Sequence, residues 1–592
     1  MNKSEKLISI LLGLLLVGWL WRSTNEAKKQ AEAAREAAAA AATNEVAAAA
    51  TAVPATNAAS VVQATAPAIA ASAAEPAAPA EPAAPEKTIV LSNAQMSVTL
   101  TTRGAAVKDA TFFGYAEKPG RISAENPPVR IDFSDSPALE ITGGANLRRG
   151  LDFEIAAQTD ASVTFKHGAL ERTISLGEDY RLSLKDAFGE TWGGEYEVSL
   201  GAMPMDASKN GLLSIDSFTS SPVAKERKVK HWGEEEPLKS YLVAGIGGCS
   251  GKKDATAIPE VQTVSVPGAT QWLAVKNRFF VSALASATLP ISGFDAVVSR
   301  VPGTAEYKLR HVSARAKFTG CSGAVNEMTF YLGPKKQDLL WNLGMKDVME
   351  FGMWRWVCYP MVWVLNLFHS WIPNYGVAII LLTILVRLVF WPLTHKSTVS
   401  MRRMSEIQPK IKEIREKFKD NPQRLQQETW AVYRDNKVNP MSSCLPMVIQ
   451  IPVFIALFTV LRSAVELRYA PFLWIADLSE PEALGATSWF PYFGGLNVLP
   501  ILMAATMAIQ SALTPTAGDK NQQRMMMVMM PAMMLFMFYS FPSALSLYWT
   551  LSQVFSIVQA WYIRKRYTPA PVAASADVVD VPVTRQMRRH GA

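Results

Sequence analysis

Val377, Ala378, Ile379, Ile380, Leu381, Leu382, Thr383, Ile384, Leu385, Val386, Arg387, Leu388, Val389 and Phe390 form an apolar run interrupted by a single charge. As a helix rising about 1.5 Å per residue, the wider stretch Gly376 to Leu393 reaches about 27 Å, close to the hydrocarbon thickness of a bilayer. An arginine inside such a span costs roughly 2.5 to 3.5 kcal/mol on insertion scales, so it usually faces a bundle interior or a water-filled cavity on a substrate path. The competing reading is a side chain that snorkels to the interface. Only about 9 Å of helix would separate Arg387 from an end near Leu393.

Four more segments are apolar and about long enough to span: Cys444 to Leu461, Leu496 to Leu513, Met525 to Phe541 and Ser543 to Ile563. The amino-terminal run Leu7 to Trp21 is followed by Arg22, Ser23, Thr24 and Asn25, which lack a small-residue cleavage site, so it reads as an uncleaved anchor. Charge orients these six spans, because short cytoplasmic loops retain Lys and Arg. Residues His395 to Asn439 hold eleven Lys or Arg against six Asp or Glu, and Arg564, Lys565 and Arg566 follow the last span. Glu466, Asp477, Glu480 and Glu482 against Arg468 alone place the loop after the third span outside. Both termini are then cytoplasmic. A seventh apolar stretch, Phe351 to Ile372, would break that parity if it crossed; with Arg355, Asn366, His369 and Ser370 it suits a helix lying along the interface.

The rest of the 592-residue chain, of net charge +8, reads as soluble. Residues 23–87, rich in Ala and Pro, carry too little bulky apolar surface to offset ordering entropy and are expected to form a disordered tether. Residues 88–335 contain short alternating runs such as Met96 to Leu100 and Tyr180 to Leu184 between turn residues, which predicts an all-β sandwich. His167, His231 and His311 are isolated in it, so a scaffold that contacts partners is favoured over a sugar-binding or enzymatic role. The four cysteines are far apart and unaccompanied by paired histidines, so no metal is expected; a Cys249–Cys321 disulfide is left open.

The segment after Leu393 carries Met401, Met404, Ile407, Ile411, Ile414 and Phe418 at helical spacing against a basic face. Asp420, Asn421 and Pro422 interrupt the pattern before Leu425, Thr429, Val432 and Tyr433 restore it, which predicts a helical hairpin with Pro409 kinking or breaking its first arm. Its basic residues Arg402, Arg403, Lys410, Lys412 and Arg415 form either a lipid-facing surface or a platform for a polypeptide or nucleic acid. The fifth span holds eight of the 24 methionines, Met525 to Met537, a deformable surface suited to varied apolar partners.

Around Arg387 the chain resembles the YidC/Oxa/Alb membrane insertases in their Gram-negative YidC form. The likeness runs through Thr383 and Arg387; Gln408, Pro409, Lys410 and Ile411; Lys437 to Pro440; Cys444 to Pro446; Gln450 to Phe454; Val465 to Arg468; and Phe541 to Tyr548. In the soluble part it includes Trp272 to Phe280 and Gly333 to Lys335. The resemblance implies a polytopic α-helical membrane protein with six transmembrane helices, five of them enclosing a hydrophilic groove, and a large periplasmic domain of β-supersandwich fold. It implies that Arg387, Thr383, Gln450, Tyr548 and Trp549 line the groove. Family members commonly carry tyrosine where Trp549 stands, and Pro481 to Leu496 lengthen the external loop.

The expected function is therefore that of a membrane protein insertase and chaperone in the bacterial inner membrane, not a bond-breaking enzyme. Expected partners are nascent membrane proteins, the Sec translocon, ribosomes or targeting factors at the hairpin and basic tail, and membrane lipids; the chain is expected to act as a monomer without cofactors. No Walker-type phosphate loop is present, consistent with insertion driven by transfer of apolar segments into lipid. A transporter whose Arg387 binds a small anion is the main rival, and carbohydrate processing by the exported domain a weaker one. The expected organisation is an anchor over 1–22, the tether, the β domain, a linker and interfacial helix over 336–375, a second span over 376–394, the hairpin over 395–440, four spans over 441–566 and a cytoplasmic tail over 567–592.

Overall fold

The computed structural model describes residues 85–143, 147–190, 194–205, 213–221, 226–232, 261–300, 309–319, 323–436, 438, 445–485, 495–513 and 520–566. The expected anchor, nearly all of the tether, the tail, and Cys249, Cys321 and Cys444 lie outside the described residues.

Strand sequences of period two build the β domain. In Arg181–Phe188 every second residue is buried, which places Leu182, Leu184 and Asp186 inward. The described strands pair antiparallel into a ten-stranded sheet, from Thr88–Ser92 at one edge to Val261–Thr270 at the other, and a nine-stranded sheet, from Glu226–Trp232 to Glu154–Gln158. Aromatic side chains join the two sheets: Phe112 stacks on Phe280 at 5.2 Å between centroids, and Tyr196 meets Phe188 at 4.7 Å.

One ion pair is sealed in this core. Arg172 and Asp186 face each other across neighbouring strands, both fully buried, and are joined twice, Nε to Oδ1 at 2.7 Å and Nη2 to Oδ2 at 2.8 Å. The Nη1 of Arg172 donates to the carbonyls of Ala105 and Leu139 in the opposite sheet. Ala105 and Leu139 are both left-handed, at φ 45° and 65°. Such backbone costs on the order of 1 kcal/mol or more for residues with a Cβ. The guanidinium thus holds two left-handed residues, one in the turn before strand Ala106–Ala116 and one inside strand Ala138–Thr142, while neutralising its own buried partner.

Helices take over after Gly333. They are α1 (Gln337–Asn342), α2 (Arg355–Trp371), α3 (Tyr375–Glu406), α4 (Gln408–Lys417), α5 (Pro422–Asp435), α6 (Leu445–Ser463), α7 (Val498–Leu513), α8 (Lys520–Phe538) and α9 (Ser543–Arg566). Side chains at their ends explain several boundaries. Asn374 accepts from Val377 N at the start of α3, Asn421 accepts from Arg424 N at the start of α5, and the Glu482 carboxylate accepts from Val498 N and Leu499 N at the start of α7. The first amides of α9, from Ser543 and Ala544, donate to the carbonyls of Glu480 and Leu478. The loop after α6 thus caps two helices, α7 through the Glu482 carboxylate and α9 through backbone carbonyls.

α3 does not end near Leu393. It continues with Pro392 inside it to Glu406, about 48 Å in all, well beyond a hydrocarbon core of about 30 Å. Among the described residues it alone is both long and apolar enough to span; the apolar parts of α6, α7 and α8 are shorter, at Gln450–Ser463, Val498–Leu513 and Met527–Phe538. The break falls at Ile407, and Pro409 stands in the first turn of α4, where its missing N–H has no helical bond to lose. α2 buries Cys358, Met361, Val362 and Leu365 on one face and exposes Trp356, Trp363 and Trp371 on the other.

The β domain and the helices meet around a hairpin turn. Strands Trp272–Lys276 and Phe280–Ser286 carry Arg278 to the end of α6, where it is fully buried. It donates to Arg462 O at 2.8 Å and Ser479 O at 2.6 Å, and pairs with the Glu480 carboxylate. From the other side Arg468 donates to Ala116 O at 2.7 Å, and Tyr469 to Glu117 O at 3.1 Å. Gly376 at the top of α3 admits the Phe472 ring so closely that an added Cβ would lie 2.1 Å from it.

Lys335 is buried at this junction, and burial, with Lys276 nearby, pushes its ammonium pKa down to about 7 despite Glu350 and Asp216. Arg278 adds to the depression. The unfolded chain therefore binds the proton that the folded chain releases between about pH 7 and pH 10. Stability should rise with pH across that window, and Lys335→Met should flatten the rise, as read by melting in detergent at a series of pH values.

Candidate functional site

α3 carries Arg387 about 18 Å from its Tyr375 end. Its Nε is buried and finds no hydrogen-bond partner among the described residues. The nearby polar group is Tyr548 of α9, which lies within electrostatic reach of the guanidinium. Tyr548 is itself buried and its hydroxyl accepts from Gln450 Nε2 of α6 at 2.7 Å. Three helices thus bring Arg387, Tyr548 and Gln450 together.

The other two expected groove residues are placed differently. Thr383 is fully buried and its hydroxyl donates to Ile379 O at 2.7 Å, one turn back in its own helix. Trp549, the next residue along α9, turns into an aromatic cluster, edge-on to Phe454 at 5.1 Å and tilted against Phe538 at 5.4 Å. Phe458 and Phe541 extend the cluster. Phe454 and Phe458 lie one and two turns beyond Gln450 on α6, so the aromatics sit on the β-domain side of the polar group.

Of the basic residues expected on the hairpin, Arg402 and Arg403 instead belong to α3, because that helix runs on to Glu406. Arg402 donates to Ile563 O at 3.3 Å, satisfying one of the last carbonyls of α9, where a cation also opposes the negative end of the helix dipole. Lys410, Lys412 and Arg415 lie on α4, with Lys412 and Arg415 exposed. α4 and α5 close on each other through Ile411 and Val432, backed by Met404, Ile407 and Val438. A second polar tie escaped the sequence reading: Gln559 Nε2 of α9 donates to Thr394 Oγ1 of α3 at 3.1 Å. A glutamine in an apolar span was its only sequence signal.

Among the described residues no group of His, Cys, Asp or Glu is arranged to hold a metal ion. Residues 367–570 match the family model described as the 60Kd inner membrane protein, and residues 250–364 match the YidC periplasmic domain. The membrane protein insertase YidC of Chlorobaculum tepidum is 31% identical over 83% of this chain and 84% of its own length. This chain belongs to the YidC membrane protein insertase family.

The YidC insertase of Syntrophobacter fumaroxidans is 41% identical over 50% of this chain, an alignment that spans 53% of that relative. A crystal structure titled as an active YidC insertase with its first transmembrane domain resolved is 19% identical, covers 82% of this chain and 94% of its own, and has a TM-score of 0.32. By the two family models, the β-rich domain is a periplasmic domain and the helical region belongs to a membrane insertase family.

The Gln450–Tyr548 bond yields a direct expectation. Tyr548→Phe keeps the ring and removes the acceptor, leaving the Gln450 amide without that partner between α6 and α9. The loss should be about 1 kcal/mol, since interhelical hydrogen bonds in membrane proteins average about 0.6 and reach about 1.7 kcal/mol. A lower melting temperature in detergent, partly restored in Gln450→Leu/Tyr548→Phe, would show the coupling.

Proposed function

We propose that this chain inserts nascent membrane proteins and assists their folding, alone or beside the Sec translocon, through a hydrophilic groove containing Arg387. The observation that carries the reading is a buried guanidinium N–H with no partner among the described residues, in an otherwise apolar helix, beside the Tyr548–Gln450 pair. An unsatisfied buried donor costs roughly 1 to 3 kcal/mol, which water or a passing substrate oxygen would relieve. A transporter would use the same charge for a small anion; the family membership favours a polypeptide.

In this reading six helices span the bacterial inner membrane, both termini are cytoplasmic, and the periplasmic domain is a β-supersandwich. The aromatic cluster around Trp549 closes the groove toward the periplasm, while Thr383 holds the α3 backbone. α2 lies along the periplasmic interface with its tryptophans in lipid, as amphipathic surface helices do. Lys410, Lys412 and Arg415 of the hairpin receive ribosomes or targeting factors, and the monomer works with membrane lipids around it. Exposed Met529, Met533 and Met537, spaced four apart on α8, give a translocating segment an adaptable apolar surface.

A photocrosslinker at Gln450 should capture a ribosome-bound nascent membrane protein, whereas one at Val90, exposed on the edge strand of the periplasmic domain, should not. Equal capture at both positions, or none at Gln450 in folded protein, would remove the groove from the account.

A further inference from the structure

The periplasmic domain contains a cavity of about 400 Å³. It opens beside the left-handed residues that Arg172 holds, and among the described residues its charged lining is Glu86, Arg103, Lys108, Asp135, Glu140 and Arg149. Three cations and three carboxylates leave the lining neutral, which disfavours a simple cation or anion. Among the described residues no aromatic side chain lines it, which disfavours a sugar or base.

The charges are not all spent on one another. Glu140 is 3% exposed; its Oε1 accepts from Gly150 N at 3.1 Å, while its Oε2 has no hydrogen-bond partner among the described residues and lies 3.6 Å from Arg149 Nε. The carboxylate is fixed from behind. Gly104, at φ +75°, leaves room that a Cβ would take at 2.9 Å from Glu140 Cγ, and the neighbouring residues Ala105 and Leu139 are held by Arg172. Arg149 spends one N–H on Asp135 O at 3.2 Å, and the Arg103 guanidinium has, among the described residues, a long contact of 3.7 Å to Asp152. A guanidinium has five N–H donors, so both keep donors in reserve.

The geometry points to a binding site for a small zwitterion, with its primary ammonium against Glu140 Oε2 and its anionic group held by Arg103 and Arg149. Free amino acids and the ethanolamine phosphate headgroup of lipids share that chemistry. The volume suits either, since ligand pockets begin at about 300 Å³.

Titration calorimetry on the full chain in maltoside micelles, with glycine, O-phosphoethanolamine, ethylamine and inorganic phosphate as probes, tests the assignment. At least one zwitterion should bind saturably and at least about tenfold tighter than either ethylamine or inorganic phosphate. Glu140→Gln and Arg149→Gln should each weaken it about tenfold to a hundredfold, the range for one charge-assisted hydrogen bond. Glycine alone binding would identify amino acids as the ligand class, O-phosphoethanolamine alone the headgroup, and both the shared ammonium–anion pair. Because Arg149 is exposed, its variant keeps the test valid if Glu140→Gln fails to fold. The proposal is overturned if neither zwitterion binds, if phosphate binds as well as O-phosphoethanolamine, or if the folded Arg149→Gln protein binds like wild type.

Discussion

Arg387→Glu is expected to slow insertion of substrates with acidic translocated tails about tenfold or more, and to affect neutral-tailed substrates far less. Two unit charges about 6 Å apart interact by roughly 0.7 to 2.8 kcal/mol for effective dielectrics of about 80 to 20, the range from open water to a partly shielded site. Glutamate turns that attraction into repulsion, so the difference between the variants is about twice the pair energy. Even the watery limit then gives roughly a tenfold effect, since 1.4 kcal/mol is one decade. A neutral tail loses only the hydration that the charge brings to the groove. Arg387→Gln should fall between, because it removes attraction without adding repulsion. Initial rates of protease protection for one substrate with matched acidic and neutral tails read the difference directly. Equal slowing of both tails would assign Arg387 a hydrating or structural role instead.

Arg172→Ala should destabilise the periplasmic domain by about 3 to 5 kcal/mol, the loss seen when one member of a buried ion pair is removed. Three consequences act together. Asp186 is left charged and fully buried without its bidentate partner. The carbonyls of Ala105 and Leu139 lose their donor, and the left-handed backbone at both residues loses the contact that holds it. Arg172→Met/Asp186→Leu removes the stranded charge and should recover part of the loss, though not the part belonging to the two carbonyls. Pulse proteolysis of the full chain across a urea series would measure both variants. A loss below about 1 kcal/mol for the single variant would mean that Asp186 is accommodated by water or protonation.

The features most legible in sequence were those encoded by local period and composition. Alternation announced the β domain, and a long apolar run announced α3. The sequence reading ended that helix near Leu393, but it continues with Pro392 inside it to Glu406. Proline removes one N–H bond, a loss that a well-packed membrane helix tolerates. Arg402 and Arg403 moved from hairpin to helix for that reason. The family resemblance assigned Gln450 and Tyr548 to one groove, but nothing in one sequence could show that residues so distant share a hydrogen bond. Arg278 illustrates the same limit. It reads as an ordinary turn cation beside Asn277, yet its partners Arg462, Ser479 and Glu480 lie beyond the next domain boundary. Glu140 looked like one scattered acid among many until the fold closed Gly104 and Gly150 around it.

In the proposed function this chain moves a polypeptide segment across the bilayer through its own helices. Purified protein should be reconstituted into liposomes and supplied with a small membrane protein whose translocated tail is scored for protease protection, against protein-free liposomes. Protection above that control, without translocon or nucleotide and weakened by Arg387→Glu for an acidic tail, is the predicted result. Protection no greater than in protein-free liposomes, with folded protein and soluble substrate, would contradict it.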